Sequence, residues 1–341
     1  MLSNKQYNTG YANMHILHET IGVHIQNTCR VIFNNLEAED FKKLKGFSIL
    51  AGKYNHERVT NLDLHNLNNL HCDFIVQKNS NKPFGFDNPI DKYIYTQLEQ
   101  LNKPILVREN PSLRAVGNGN PMRRILDDTW CSLSWNHWFM DEGIYPYDDT
   151  YDRWTELSSK YNHLNVHNWC RRGDNILLLC QVDSGGSSIS RLNYNNIDYK
   201  HYIADVIIKI KKISDRPLVV RLHPKDNTLK KYLDTLFDNI IYSNKTLYED
   251  LNRAWCAVTY NSTACVEASL YGTPTIVLDS SAISTPVSQT SLEQIEDNWE
   301  PCREQWLKKI AFMQWEGKEL HDEYVWKLLK AVMPTHGPKI N

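Results

Sequence analysis

The chain has 341 residues and a formal net charge of -2 at pH 7, with 41% hydrophobic and 23% charged residues. These proportions are typical of globular proteins and exclude a disordered chain or a fibre. The near-neutral charge predicts no whole-molecule attraction to DNA phosphates or anionic lipid. At this length we expect two domains of roughly 150 residues each.

The N-terminal residues 1–13 are polar, so we expect a flexible start without the apolar core of a secretory signal. The sequence contains no run of about 18 apolar residues, which predicts no transmembrane segment and a cytoplasmic location. The eight cysteines form no CxxC pair. Several lie in apolar runs, which favours reduced, buried thiols over disulfides or a metal cluster.

The first half of the chain predicts an α/β domain over residues 14–165. GFSILAG (46–52), CDFIVQ (72–77) and KPILVRE (103–109) have the composition of strands, and PIDKYIYTQLEQL (89–101) has that of a helix between the last two. Strands that alternate with helices indicate a sheet covered by helices.

Residues 139–147 read FMDEGIYPY, in a stretch rich in tryptophan and tyrosine. The carboxylates Asp141 and Glu142, followed by Gly143, are compatible with a polar turn or with a catalytic base. Most of the aromatic residues around them are expected in the core. One or two of them could stack on a sugar ring or on an unpaired base.

The spacing of His163, His167 and Cys170 would place these three residues on one face of a helix. No fourth ligand is evident, so a helix face near the domain boundary is favoured over a zinc site.

The second half alternates apolar runs and helical patterns from residue 175, which predicts a parallel sheet wrapped by helices. The runs ILLLC, AVTY and TIVL are continuously apolar, as expected for strands buried on both faces. We therefore predict a Rossmann-like domain over 175–300 and C-terminal helices over 301–333 that pack across both domains and are split near Gly317. The predicted fold class is α/β, with two Rossmann-like domains facing a cleft.

Ligands of open α/β sheets bind beyond the carboxyl ends of the strands, so the residues after each apolar run are candidate site residues. The first such segment is QVDSGGSSIS. Gly185 and Gly186 allow a sharp turn, and Ser187 and Ser188 supply hydroxyls and N–H groups suited to phosphate. The spacing matches no dinucleotide fingerprint or P-loop, and a plain flexible loop explains it equally well.

The second segment is VVRLHPKD. Arg221 and His223 share one face of the strand, and Pro224 ends the strand where His223 emerges. A histidine there, beside Lys225, could donate to a phosphate and protonate a leaving group. The alternative is a histidine hydrogen-bonded to the backbone.

The third segment is YNSTACVEASLYGTP. Asn261 or Ser262 is expected to cap a helix whose first N–H groups, with the hydroxyls of Ser262 and Thr263, form an anion site. Glu267 could accept from ribose hydroxyls. The alternative is a capped helix with an exposed glutamate.

The Asp-Glu-Gly at 141–143, the His-Pro at 223–224 and the Ser-Thr at 262–263 follow one another in an order that resembles the bacterial sialyltransferases and related capsule or Kdo transferases of the GT-B fold. The pattern EAxxxGxP at 267–274 is similar to that of many GT-B donor domains.

This resemblance implies an inverting glycosyltransferase that uses a nucleotide-sugar as co-substrate and needs no cofactor. It assigns the general base to Asp141, with Glu142 beside it, and departure of the nucleotide phosphate to His223. Ser262 and Thr263 would bind that phosphate, and Arg221 and Lys225 are further candidates for binding the donor phosphate. The sequence contains no D-x-D triad, so metal dependence is not expected, although the aspartates at 148–152 leave room for an ion.

Two acceptors and two other functions stay open at this point. The acceptor hydroxyl could belong to a glycan or, in a viral enzyme, to a hydroxymethylated pyrimidine in DNA. A nucleotide-sugar epimerase of the same architecture and a nucleotide-sugar-binding protein without catalysis are the alternatives. The sequence leaves the sugar, the nucleotide base and the oligomeric state undetermined.

Overall fold

The computed structural model describes two β-sheets with their helices. The residues it describes are 15–19, 29–34, 54–58, 74–78, 104–109, 112–113, 130–137, 139–161, 164–182, 192, 195, 197–226, 228–316, 319 and 323–337. The predicted strand at 46–52, the predicted helix at 89–101 and the segment 1–13 lie outside these residues.

The first sheet is mixed. Its strands are β1 (His15–Glu19), β2 (Cys29–Asn34), β3 (Tyr54–Arg58), β4 (Phe74–Lys78), β5 (Ile105–Glu109), β6 (Trp130–Trp135) and β12 (Gln314–Glu316), in the order β12-β6-β5-β4-β2-β1-β3. The prediction of strands within 72–77 and 103–109 is confirmed by β4 and β5. Among these described strands, only the pairs β2–β4 and β4–β5 are parallel.

The prediction of a Rossmann-like first sheet is wrong for its outer strands. β1 pairs antiparallel with both β2 and β3, β5 with β6, and β6 with β12. Antiparallel neighbours need no crossover helix, so the parallel pairing expected of a Rossmann-like sheet is limited to the centre of this sheet.

The second sheet is parallel throughout the described strands, as the sequence predicts. It contains β7 (Asn175–Leu179), β8 (Leu218–Arg221), β9 (Ile241–Tyr242), β10 (Ala254–Thr259) and β11 (Thr275–Val277), in the order β11-β10-β7-β8-β9. The chain runs outward from β7 to β9 and then returns to the other side of β7. The strand order therefore reverses between β7 and β10.

The described helices are α1 (Arg153–Lys160), α2 (Tyr199–Ile213), α3 (Leu229–Leu236), α4 (Leu247–Leu251), α5 (Ala264–Tyr271), α6 (Glu304–Phe312) and α7 (Glu323–Ala331). Asp198 caps α2 by accepting from the N–H groups of Lys200 and His201. Gly272 ends α5 with a φ of 78°, a conformation that favours glycine.

Each face of the second sheet has its own core, which explains the continuously apolar strands. Ile176 and Leu178 of β7 pack in a cluster with α2 and α3. Leu177 and Leu179 belong to a second cluster, which includes Cys265 of α5. Side chains alternate along a strand, so burial on both faces requires an apolar residue at every position.

The C-terminal segment contacts both sheets. Two helices form here as predicted, but the residues between them add β12 to the first sheet instead of a simple turn. Trp306 donates to the Ile283 carbonyl at 2.8 Å, and Trp135 of β6 donates to the Leu329 carbonyl at 2.8 Å. Trp306, Phe312 and Trp315 are buried, as expected for packing residues.

The five cysteines whose side chains the structure describes divide into two classes. Cys180, Cys256 and Cys265 are buried free thiols, as the sequence predicts. Cys170 and Cys302 are free but exposed, so the prediction of burial is wrong for these two. Both lie in irregular segments outside the apolar runs on which that prediction rested.

Candidate functional site

The loops at the carboxyl edge of the second sheet are joined by buried side chains. The Gln181 amide, just after β7, donates to Asn261 Oδ1 at 2.7 Å, and Asn261, after β10, donates to Ser281 Oγ at 2.7 Å. Gln181 is 4% exposed and Asn261 also 4%. The Gln181–Asn261 bond spans the point where the strand order reverses, the place where open α/β sheets bind ligands.

The loop 136–143, which we call the acidic loop, carries Asp141 and Glu142 between two paired positions. Trp135 and Ile144 form an antiparallel bridge at its base. The Gly143 N–H donates to the Phe139 carbonyl at 2.7 Å. A Cβ on Gly143 would lie 2.4 Å from the His137 carbonyl oxygen. Glycine is needed here because the backbones approach closely, not because of an unusual φ.

The acidic loop contacts the loop that follows β11. The Met140 N–H donates to the Ser281 carbonyl at 3.1 Å, and Ser280 Oγ donates to Asp141 Oδ2 at 2.5 Å. Asp141 is exposed. Burial raises the pKa of Tyr145 well above its usual range, and the nearby charge of Asp141 raises it further. The structure thus places Asp141 at the carboxyl edge of the second sheet.

Glu142 has a different partner. Its Oε2 lies 3.6 Å from Nε2 of His137, whose side chain is 3% exposed. His137 was not singled out by the sequence, although it lies four residues before Asp141. The two acids of the pair are therefore in different environments.

His223 is half-buried at the end of β8, and its Nδ1 accepts from the Lys225 N–H at 3.1 Å. One ring nitrogen of His223 is therefore bonded to the backbone, which was the alternative to a catalytic role. In the neutral ring, the proton is then on Nε2. β8 lies three strand spacings of about 4.8 Å from β11, or roughly 14 Å. His223 and Asp141 could act together only on a substrate that extends along the sheet edge.

The start of α5 differs in detail from the expectation. The N-cap is Thr263, whose side chain makes no capping hydrogen bond, rather than Asn261 or Ser262. Ser262 Oγ accepts from the Ala264 N–H at 3.3 Å. The Asn261 side chain cannot cap because it is held between Gln181 and Ser281.

The remaining predicted donor-binding residues lie apart from the acidic loop. Arg221 donates to Asp250 at 2.8 Å and to the Lys245 carbonyl at 2.6 Å, so its guanidinium is engaged within the fold. Lys225 is exposed. Glu267 lies near Tyr248 of α4, whose pKa is raised by burial and by the Glu267 charge. Gly185, Gly186, Ser187 and Ser188 lie outside the described residues.

The part of the chain that the structure describes holds no group of three His, Cys, Asp or Glu side chains suited to a metal ion. The predicted helix face is wrong, because residues 165–170 have no regular secondary structure. His167 instead packs against Tyr271, with ring centroids 5.1 Å apart. His163 lies outside the described residues.

Gln181, Ser280 and Ser281 belong to the site although the sequence analysis did not single them out. Gln181 directly follows the apolar run ILLLC, and Ser280 and Ser281 come two and three residues after the run TIVL, so a position after a buried strand was the available signal. A cavity of about 240 Å³, lined by residues that include Tyr202, Lys209 and Leu278, contains none of the predicted site residues.

No family model matches the sequence, and no curated protein matches it. The chain is distantly similar to two solved structures of KpsC from Thermosulfurimonas dismutans. With the beta Kdo 2,7 transferase it shares 11% identity at a TM-score of 0.46, over 88% of this chain and 98% of that one. With the beta Kdo 2,4 transferase it shares 12% identity at a TM-score of 0.40, over 71% and 79%. Within the described residues, no helix has the length and apolar character needed to cross a bilayer.

Proposed function

We propose that the protein is an inverting glycosyltransferase that moves a sugar from a nucleotide-sugar to an acceptor hydroxyl. The observation that carries this proposal is the hydrogen bond between Ser280 and Asp141. It sets a carboxylate of the first half of the chain at the carboxyl edge of the second sheet, where ligands of such sheets bind. The order of the acidic, His-Pro and Ser-Thr motifs supports the same assignment.

In this mechanism Asp141 removes the proton of the acceptor hydroxyl while the nucleotide leaves from the opposite face of the sugar. The proton of His223 Nε2, the Ser262 and Thr263 hydroxyls and the start of α5 would stabilise the charge on the departing phosphate. Proton transfer by a positioned base typically contributes about 10²- to 10⁴-fold to the rate. No step requires a metal ion.

We further propose that the acceptor is a carbohydrate rather than DNA. Tyr147 and Tyr151, close to the acidic loop in sequence, are 37% and 40% exposed, and both rings contact Phe312. Hydrogen bonds from Thr150 and Tyr324 lower the pKa of Asp148, so this carboxyl, next to Tyr147 in the sequence, stays ionised. Exposed aromatic faces suit sugar rings, whereas ionised carboxylates repel a phosphate backbone.

Two experiments test the proposal. Thermal-shift measurements with CMP, UDP, GDP and ADP identify the donor nucleotide, because a ligand of the native state raises its melting temperature. Transfer assays with that donor should show a loss of about 10²- to 10⁴-fold for Asp141→Asn, with donor binding retained. Asp149→Asn, which neutralises an exposed neighbouring carboxylate, is the control and should keep full activity.

Three results would contradict the proposal. Full activity of Asp141→Asn would exclude Asp141 as the base. Formation of an epimer from the nucleotide-sugar without acceptor would indicate the epimerase instead. Binding to duplex DNA that weakens steeply with salt would favour the DNA acceptor.

A further inference from the structure

His137 is the second residue of the acidic loop and is enclosed by it. It is 3% exposed, its Nδ1 accepts from the Phe139 N–H at 3.3 Å, and its ring stacks on Phe139 with centroids 4.3 Å apart. The loop also folds onto its backbone, since Gly143 approaches the His137 carbonyl. The imidazole therefore has a fixed position and orientation inside the loop.

The bond to Phe139 determines where the imidazole carries its proton. Because Nδ1 accepts this bond, the ring that makes it is the neutral tautomer with its proton on Nε2. Nε2 lies 3.6 Å from Oε2 of Glu142, whose side chain is 40% exposed. This distance is too long for a hydrogen bond but allows an attractive contact between a polar N–H and a carboxylate.

The two neighbouring carboxylates are thus held by different parts of the molecule. Glu142 is directed to the imidazole of its own loop, whereas Asp141 accepts from Ser280 of the loop after β11. A carboxylate paired inside its own loop fixes that loop. A carboxylate presented to the sheet edge is available to a substrate bound there.

We propose that His137 and Glu142 are positioning residues, which hold the acidic loop so that Asp141 alone of the pair reacts with the acceptor. This inference rests on the proposed transferase function. It assigns a positioning role to the second of two adjacent acids, and it adds a buried histidine to the machinery of the site.

Two pairs of variants separate the roles. Asp141→Asn removes the reacting carboxylate and should lower kcat by about 10²- to 10⁴-fold. Glu142→Gln keeps the shape of the side chain and removes the charge that attracts the Nε2–H, and it should lower kcat by less than about fivefold, the scale of a partly exposed charge contact. Equal losses in the two variants, or a larger loss in Glu142→Gln, would overturn the proposal.

The second pair tests the imidazole itself. In His137→Gln the amide N–H reaches the position of Nε2, whereas in His137→Asn the amide oxygen replaces only Nδ1. His137→Asn should lower kcat by up to about 10²-fold, the cost of a base displaced by about 1 Å, with the donor KM unchanged. His137→Gln should recover most of that loss. Equal kcat values in the two variants would exclude a positioning contact with Glu142.

A measurement without substrate separates this inference from the proposed function. Thermal unfolding of His137→Asn, Glu142→Gln and the double variant should give a combined shift smaller than the sum of the single shifts, because the two side chains share one contact. If His137→Asn does not fold, His137→Gln replaces it in the comparison. Additive shifts would overturn the proposal whether or not transfer occurs. Non-additive shifts in a protein that transfers no sugar would leave the contact intact and refute the transferase.

Discussion

At the scale of the residue, the shape of the acidic loop depends on the absence of a side chain at Gly143. A Cβ there would lie 2.4 Å from the His137 oxygen and 2.8 Å from both the Phe139 oxygen and the Tyr145 hydroxyl. Two of these atoms are backbone and cannot move without reshaping the loop. The loop that presents Asp141 therefore requires glycine at position 143.

Gly143→Ala should consequently lower both stability and activity. Overpacking of this kind costs about 1–3 kcal/mol, which urea unfolding would measure. The control is Gly272→Ala, where the Cβ would lie 2.1 Å from the Asn168 oxygen and φ is 78°. Both variants should be destabilised, but only Gly143→Ala should lose kcat in the folded protein. Unchanged kcat in Gly143→Ala would show that the loop tolerates displacement.

Thiol reactivity provides a second prediction at this scale. Burial raises the pKa of the Cys180 and Cys265 thiols well above the usual range. It raises the pKa of Cys256 to about 12. Because the thiolate is the reactive form, these residues should not react with a thiol reagent at pH 8 until the protein unfolds. Exposed Cys170 and Cys302 should react in the native state. Mass-spectrometric mapping of the labelled sites checks this, and rapid native labelling of Cys180 would contradict it.

At the scale of the element, the sequence predicted the second sheet well and the first sheet in part. Strands such as Asn175–Leu179 are buried on both faces, so their apolar runs are unbroken. β12, by contrast, is three residues long and pairs with β6, whose paired residues lie 182 to 186 positions earlier in the chain. No local pattern specifies such a pairing, because its partner is set by the packing of the whole chain.

The candidate site shows the same limit. The positions after the strands identified Ser262 and His223, but not which side chain each would meet. Asn261 was predicted as a helix cap and instead joins the loops after β7 and β11. Arg221 was predicted as a phosphate ligand and instead pairs with Asp250. Polar residues at a sheet edge have several possible partners, and tertiary structure selects among them.

The Arg221–Asp250 pair yields a prediction at this scale, because it connects β8 to α4. Asp250 is 5% exposed and accepts from Arg221 at 2.8 Å and from Ser243 at 2.5 Å. Arg221→Met would leave the carboxylate buried without its cation, which typically costs about 3–5 kcal/mol. The double variant Arg221→Met with Asp250→Leu should recover much of this loss in urea unfolding. If Arg221→Met has normal stability but binds the donor more weakly, Arg221 is a phosphate ligand as the sequence predicted.

At the scale of the whole molecule, the C-terminal segment connects the two sheets. It lies against the second sheet through Trp306 and then extends the first sheet as β12. Gln314 accepts from the Ser112 N–H at 2.9 Å, and Ser132 donates to the Met313 carbonyl at 2.9 Å. These buried bonds tie the end of the chain to the sheet that carries the acidic loop, so loss of the segment should disturb the site from a distance.

Arg153 of α1 binds the C-terminal segment where this segment joins the first sheet. Its buried guanidinium donates to the Ala311 carbonyl at 3.0 Å, the Gln314 carbonyl at 2.6 Å and both oxygens of Glu319, and lies 4.1 Å from the Trp315 ring centre. A lysine keeps the charge but not the planar fork that makes these bonds together. Arg153→Lys should therefore cost about 3 kcal/mol in urea unfolding.

The matched control is Arg216, which makes similar contacts at the surface. It also binds a glutamate, Glu296, through two nitrogens and lies 3.4 Å from the Trp255 ring centre, but its side chain is 24% exposed and that of Glu296 is 50% exposed. Water can replace the lost bonds there, so Arg216→Lys should cost about 1 kcal/mol or less. Because Arg153 connects α1 to the segment that joins the sheets, Arg153→Lys should also lower transferase activity. Equal costs for the two variants would mean that burial at Arg153 adds nothing to the connection.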